Sequence, residues 1–272
     1  MTGEAAFSGA LTSDNLFVRR WGAGPPVMYV HGLGASSRYW SVLADKAPAH
    51  MGVAPDLLGF GRSPKPRYST YDVAAHLERL RPIVPMNAVV VGHSTGAILA
   101  AAIARAAADR VRALLLLGLP AFPDEATARR EMGRLGTMAR LTASGSWAAQ
   151  AMCMAMCHLR PFLIPIAPKL VRDVPAEVAS DFLRHTWPSY SGTLRNVVLR
   201  HPAVSDLEQV RLRVVLLHGK ADRDAPVELV EEAARSLRNA DRDLTLHVVE
   251  GDHHLALRRP EIVAGHLGDL LG

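Results

Sequence analysis

The most informative stretch of this sequence is residues 92–96, which read Gly92-His93-Ser94-Thr95-Gly96. A β-branched run, 88–91, precedes it, and an alanine-rich apolar stretch, 97–108, follows it. This context predicts a strand, a sharp turn and a helix with serine at the turn. Side chains two positions to either side would collide in such a turn, and glycine permits the close approach. Ser94 is therefore a candidate nucleophile, with the positive end of a helix directed toward it.

Short apolar runs recur along the whole chain, and segments of helical spacing or composition separate them. The runs are 27–30, 51–54, 88–91, 113–117, 214–217 and 244–249. Val and Leu without strict alternation are typical of strands buried on both faces, as in a parallel sheet covered by helices. The sequence therefore predicts an α/β fold with a mostly parallel, doubly wound sheet. Residues 16–21 are expected to add an antiparallel strand at its start.

Residues 121–209 interrupt this alternation, because they contain helical segments and prolines but no strand pattern. A stretch of this length is not a loop inside a compact domain. We therefore expect a helical cap at 121–209, inserted between two parts of the core, 1–120 and 210–272. Within the cap, residues 141–159 contain no Lys, Arg, Asp or Glu and reach the length of a membrane span. Their many small and polar residues favour a helix over an apolar cavity, with transient membrane contact as the minor alternative and no stable insertion.

The composition argues against several classes of protein. The 272 residues have a formal net charge of +5, but the basic residues are dispersed and not interleaved with aromatic ones, so we expect no nucleic-acid binding. The first residues lack the features of a secretory signal, so we expect a cytoplasmic protein. The two cysteines, Cys153 and Cys157, are expected to be small buried hydrophobes on one helix. No metal is expected, and a homodimer is left open.

A serine nucleophile needs a base, and a third group must orient that base. After this kind of turn the acid comes before the histidine along the chain. Asp222 and Asp224 follow the apolar run 214–217, at the edge where open α/β sheets bind ligands. Asp222 is the preferred acid, because Asp224 suits an N-cap before the helix that Pro226 opens.

Two histidines, His253 and His254, follow the last apolar run and compete for the role of base. Either could reach Ser94 from a neighbouring strand end, and periodicity does not separate them. Three other histidines flank the predicted site but stand at the wrong place in the order: His31, His93 and His218.

Backbone donors for a developing oxyanion are predicted at two turns. The run 27–30 leads into His31-Gly32-Leu33-Gly34, a turn that contains two glycines. The N–H of Leu33 can point into the site, and the N–H of Thr95 is its predicted partner. Losing one such donor typically lowers the rate by about two to three orders of magnitude.

Together these motifs resemble the α/β-hydrolase superfamily, in its serine-hydrolase branch with a helical cap. The resemblance covers most of the chain outside 121–209. It rests on residues 31–34, 56–63, 92–96 and Gly219-x-x-Asp222-x-x-x-Pro226. Such proteins usually carry a Pro-Glu pair seven residues past the histidine, so Pro260-Glu261 indicates His253. Asp252 stands where these proteins usually have glycine.

The resemblance implies a mechanism without metal or cofactor. Ser94 would attack a carbonyl carbon, His253 would take the proton and return it to the leaving group, and Asp222 would hold the imidazole. Water would then hydrolyse the acyl-enzyme. A serine at this turn argues against haloalkane dehalogenases and epoxide hydrolases, and the missing Asn before it argues against carbon–carbon bond hydrolases.

The substrate is expected to be chosen by the cap. Apolar side chains there are predicted to line a pocket for a small hydrophobic ester, thioester or lactone. The residues chosen are Trp147, Met152, Met156, Phe182 and Trp187, with Met132, Met138, Met154 and Phe162 as further candidates. Two alternatives keep the fold: acyl transfer or elimination in a biosynthetic pathway, and a ligand-binding accessory protein of the bacteriochlorophyll-pathway type.

Overall fold

The computed structural model describes residues 7–11, 16–135, 146–166, 174–240 and 242–272. Within this part of the chain, eight strands form one sheet. The strands are β1 (Ser8–Leu11), β2 (Phe17–Trp21), β3 (Pro26–Val30), β4 (Met51–Pro55), β5 (Ala88–His93), β6 (Val111–Leu117), β7 (Arg213–Gly219) and β8 (Leu244–Val249).

The helices follow the strands in the predicted alternation. They are α1 (Ser41–Ala44), α2 (Val73–Leu80), α3 (Thr95–Ala106), α4 (Glu125–Arg134), α5 (Trp147–Leu163), α6 (Ala176–Asp181), α7 (Trp187–Thr193), α8 (Ala203–Gln209), α9 (Val227–Asn239), α10 (Leu255–Arg258) and α11 (Pro260–Leu271). A π-helical segment, Leu194–Leu199, follows α7 directly.

The sheet has the order β1-β2-β4-β3-β5-β6-β7-β8. The β1–β2 and β2–β4 pairs are antiparallel, and the pairs from β4 to β8 are parallel. The α/β-hydrolase fold with a mostly parallel sheet is thus confirmed. The sequence did not predict β1, because its four residues are all exposed and show no apolar pattern.

Both faces of the sheet are buried, which explains why its strands lack strict alternation. Val90 of β5 and Leu116 of β6 face a core that includes α2, α3 and α9. Val91 and Leu117, their chain neighbours, face a second core that includes α1 and α11. All six residues of β5 and six of the seven residues of β6 are therefore buried.

The described part of 121–209 is helical and lies between β6 and β7 along the chain. Helix α8, at its end, packs on α3 of the core. Residues 136–145 and 167–173, with the predicted pocket residue Met138, lie outside the described residues. The boundaries of the cap at 121 and 209 stay predictions. Among the described helices, none is both long and apolar enough to cross a membrane.

Candidate active site

Ser94 stands between β5 and α3 in a backbone conformation that residues with a side chain rarely adopt, with φ +55° and ψ −122°. Such a conformation typically costs about 1–3 kcal/mol and persists only where the surroundings enforce it. The Ser94 amide donates to the carbonyl of Leu117 at 2.9 Å, which ties the turn to β6. A Cβ on Gly92 would overlap the Gly96 carbonyl, and a Cβ on Gly96 would overlap the Val30 carbonyl. Gly92 therefore permits the close approach within the turn, as predicted, whereas Gly96 permits the turn to approach the end of β3.

The loops after β7 and β8 bring Asp222 and His253 together. Asp222 Oδ2 accepts a hydrogen bond from His253 Nδ1 at 2.8 Å, and both side chains are buried. The other carboxylate oxygen, Oδ1, accepts from the backbone amides of Asp224 at 3.0 Å and Ala225 at 2.9 Å. Both oxygens of Asp222 are thus held in place, with one directed at the imidazole.

The electrostatics of this pair favour a charged carboxylate beside the imidazole. Burial raises the pKa of the Asp222 carboxyl, but the hydrogen bond and charge of His253 outweigh it and hold that pKa below its usual value. Burial lowers the pKa of His253, but the hydrogen bond and charge of Asp222, with smaller contributions from Asp224 and Asp252, raise that pKa above 6.5. The imidazole therefore binds a proton more tightly than a free histidine does.

The raised pKa of His253 predicts the pH dependence of any reaction that uses it as a base. Only the neutral imidazole can accept a proton, so kcat/KM should rise with pH as His253 deprotonates, with a midpoint above the ordinary 6.5. Turnover of a neutral ester between about pH 5 and 9 measures this midpoint. The variant Asp224→Asn should move it downward, because it removes a charge that stabilises the imidazolium. A midpoint at or below 6.5 in the unmodified chain would contradict the prediction.

Ser94 and His253 border the same cavity, which has a volume of about 260 Å³. Within the described part of the chain, no hydrogen bond joins the Ser94 hydroxyl to the imidazole. Bonds of this kind are often long in unliganded enzymes and tighten when substrate binds.

The two predicted oxyanion donors border this cavity as well. Ala35 N donates to Gly32 O at 3.2 Å and closes a turn in which Leu33 and Gly34 are central, with Gly34 at φ +78°. The positive φ at the second central residue is typical of a type II turn, which does not use the amide of the first. Thr95 is the first residue of α3, where an amide has no acceptor within the helix. The donor role of both amides stays a prediction.

The histidines that flank the site fix its loops. His93 Nε2 donates to the carbonyl of His253 at 2.8 Å, and its ring stacks on Tyr39. His218 Nε2 donates to the carbonyl of Ala225 at 2.6 Å, next to the amide that Asp222 binds. Burial lowers the pKa of both His93 and His218, which favours their neutral forms. The sequence placed His93 and His218 at the ends of two predicted strands, but it did not show that they hydrogen-bond to the loops of the site.

The alternatives to Asp222 and His253 also lie near the cavity. Asp224 is exposed, and its carboxylate lies within 4.8 Å of ligand atoms of Asp222 and His253. Among the described residues, these three lie close enough together to hold a metal ion, and two of them, Asp222 and His253, are hydrogen-bonded to each other. His254 Nδ1 lies 3.3 Å from the hydroxyl of Tyr39, so its ring contacts the cavity wall and not Asp222.

Gly118, directly after β6, is a residue of the site that the sequence did not single out. Its φ is +55°, and a Cβ there would lie 2.9 Å from His253 Nδ1 and 3.1 Å from Asp222 Oδ2. A side chain would therefore press on the hydrogen bond between these two residues. The feature of the sequence that could have indicated Gly118 as a site residue is its position directly after the apolar run 113–117.

The structure corrects most of the predicted pocket lining. Phe182 borders the cavity, and so does the further candidate Met132. The lining also includes four large side chains that the sequence did not indicate: Tyr39, Tyr190, Leu194 and Val198. Four predicted residues are not part of the lining in the described structure: Trp147, Met152, Met156 and Trp187.

The orientation of α5 explains the error for Trp147, Met152 and Met156, which belong to that helix. The buried side chains of α5 are the small ones, Ala149 and Cys153. Trp147 is 82% exposed and Met156 is 36% exposed. The helix therefore turns most of its large apolar side chains toward solvent and away from Ser94.

Comparison with known proteins agrees with this fold. Residues 27–266 match the sequence model of the alpha/beta hydrolase family. The chain is 27% identical over 280 residues to a protein named probable lysophospholipase BODYGUARD 5 from Arabidopsis thaliana; the match covers 90% of this chain but only 61% of that relative.

Solved structures with the same fold cover nearly the whole chain. A bromoperoxidase from Bacillus anthracis has a TM-score of 0.72 at 17% identity, with 97% of this chain and 99% of that chain covered. A thermophilic esterase from Thermogutta terrifontis has a TM-score of 0.68 at 21% identity, with 98% of each chain covered. Since the family match spans both the Ser94 turn and the Asp222 and His253 loops, the chain belongs to the alpha/beta hydrolase family.

Proposed function

We propose that this chain is a serine hydrolase that cleaves a carboxylic ester with a hydrophobic acyl group, through an acyl-enzyme on Ser94. One observation carries the proposal: the buried Asp222–His253 hydrogen bond borders the same cavity as a serine held at φ +55°. A nucleophile, a base and a group that orients the base are the parts that acyl transfer to serine requires.

The reaction would proceed in two halves. Ser94 Oγ attacks the ester carbonyl carbon while His253 Nε2 takes the hydroxyl proton, and the oxyanion accepts hydrogen bonds from the Leu33 and Thr95 amides. The carbon–oxygen bond to the leaving alcohol then breaks, and His253 gives that oxygen the proton. Water next attacks the acyl-serine, with His253 again as the base. The products are a carboxylic acid and free Ser94.

The cavity supports a hydrophobic acyl group. Leu194, Val198, Met132 and Phe182 contribute apolar walls. In the described part of the chain, no Lys or Arg borders the cavity to bind an anionic group. The relative named probable lysophospholipase and the fold neighbour named esterase support ester substrates, and esters of fatty acids are the class that fits these walls.

A substrate panel tests the proposal. Purified protein should hydrolyse p-nitrophenyl butanoate and octanoate, and lysophosphatidylcholine and an acyl lactone test the two natural ester types. A fluorophosphonate probe should label the chain, and mass spectrometry should locate the label on Ser94. Turnover without labelling would contradict an acyl-enzyme on serine. No turnover and no labelling would favour a ligand-binding protein, and ester formation with an added alcohol would indicate acyl transfer.

A further inference from the structure

The outward face of α5 is the most conspicuous surface that the proposed reaction does not use. Trp147 is 82% exposed, Phe162 is 74% exposed and Leu159 is 51% exposed. Met154, at 47%, belongs to the same helix, and Ile166, at 42%, follows it. Scattered exposed apolar residues are ordinary, but with Met156 at 36% there are six large ones within 20 residues, and such a concentration marks a contact surface.

Three of these side chains, Trp147, Met154 and Phe162, lie on one side of the helix. Steps of seven or four residues lead from Trp147 through Met154 and His158 to Phe162, and residues so spaced share a helix face. His158 is the polar side chain in this series. With 17 residues, α5 is about 26 Å long. This outward face is therefore a nearly continuous apolar strip along the cap.

The segment of sequence around α5 also has an unusual charge, because it contains basic residues and no acidic ones. Residues 132–172 contain no Asp or Glu and five basic residues: Arg134, Arg140, Arg160, Lys169 and Arg172. The whole chain has 31 basic and 26 acidic residues, so the other 231 residues carry 26 of each. The formal net charge of +5 thus arises within this one segment.

We infer that the outward face of α5 docks on the surface of an anionic lipid bilayer. An apolar helix face inserts at the boundary between headgroups and acyl chains, and the net positive charge of residues 132–172 favours anionic lipid. The helix would lie in the plane of the surface, since the described helices include none able to span a membrane.

Contacts between α5 and the segment around His185 link the outward face of α5 to the cavity. The side chain of Arg160 donates to the carbonyl of His185, and Cys157 Sγ lies 3.5 Å from the same oxygen. His185 stands between Phe182 and Tyr190, which both border the cavity. Docking would therefore hold the cap at a surface that carries fatty-acyl esters. Only this consequence rests on the proposed function; the docking itself does not.

Vesicle binding tests the inference without any turnover. Large vesicles of phosphatidylcholine with about one-third phosphatidylglycerol provide the anionic surface, and pure phosphatidylcholine provides the neutral one. Trp147 is the reporter, because Trp21 and Trp40 are buried and Trp187 is half-buried. We expect the protein to sediment with the anionic vesicles and its tryptophan emission to shift to the blue, with binding at least about tenfold weaker on the neutral vesicles.

Variants of the outward face make the test specific. The double change Leu159→Ser and Phe162→Ser keeps the reporter and should weaken anionic-vesicle binding by at least about tenfold. Met86→Ser is the matched control, because Met86 is 58% exposed on the segment before β5, far along the chain from α5. It should bind vesicles like the unmodified chain. Turnover of a short soluble ester, or an unchanged circular dichroism spectrum, shows that each variant is folded.

Three results would overturn the inference: no binding to anionic vesicles, equal binding by the double variant, or a dimer that the double variant dissociates while vesicles do not bind. The last result would mean that a second copy covers the face. Because binding is read without substrate, vesicle binding by an inactive chain would count against the proposed function alone, and ester turnover without vesicle binding would count against docking alone.

Discussion

Replacing Ser94 with alanine is expected to lower kcat for a neutral ester by about four to six orders of magnitude. Alanine removes the atom that forms the acyl-enzyme and leaves the turn, the cavity and the Asp222–His253 pair in place. Residual turnover would come from the oxyanion donors and substrate positioning alone. The measurement is kcat on p-nitrophenyl butanoate at saturating substrate, at a pH above the His253 midpoint.

The control for this change is Ser180→Ala. The Ser180 hydroxyl donates to the carbonyl of Ala176 within α6 and does not border the cavity. Loss of this hydroxyl should leave kcat within about twofold of that of the unmodified chain, since surface changes away from a site have small effects. Turnover by Ser94→Ala that approaches that of Ser180→Ala would remove Ser94 from the mechanism.

Asp222→Asn is expected to lower kcat by about 10⁴-fold, while Asp224→Asn should cost no more than about tenfold. The geometry gives the reason. Two backbone amides donate to Oδ1 of Asp222, so the carbonyl oxygen of an asparagine would be held at that position. Its NH₂ group would then face His253 Nδ1 and force the proton of the ring onto Nε2. In that tautomer the ring cannot accept a proton from Ser94.

The paired variants also decide which acid acts. Each is assayed for kcat on the same neutral ester, and its melting temperature shows whether it is folded. The tautomer argument further predicts that raising the pH does not restore activity to Asp222→Asn, because the error lies in the position of the proton and not in its number. If Asp224→Asn were the more damaging change, the roles of the two acids would be reversed.

The sheet was predictable because its signal is local. The six apolar runs coincide with β3 to β8, and in the inner strands this is because strands buried on both faces must be apolar along their length. The first strand, Ser8–Leu11, has no such signal; backbone hydrogen bonds to β2 hold it, and these do not depend on side-chain type.

The cap shows where sequence patterns stop being informative. Helix α5 is rich in apolar residues on all sides, so periodicity does not say which side faces the protein. Packing placed Ala149 and Cys153 inward and left Trp147 and Phe162 outside. The cavity is instead lined by Tyr39 of the core and by Tyr190 and Leu194 beyond α5, whose convergence depends on contacts between distant segments.

Three features could be predicted from the sequence alone: the strand–turn–helix at Ser94, the positions of the parallel strands along the chain, and the loops that carry the candidate acid and base. These features are local, because φ, ψ and burial of a short segment restrict its residue types. The sequence preferred Asp222 and, by resemblance, His253, and tertiary contacts show how each differs from its neighbour: His253 reaches Asp222 whereas His254 contacts Tyr39, and both oxygens of Asp222 are bound. Adjacent residues share one local sequence pattern, so the pattern does not show which side chain faces the site. Contacts with residues at the ends of other strands, such as Gly118, His93 and His218, fix the loops that carry Asp222 and His253.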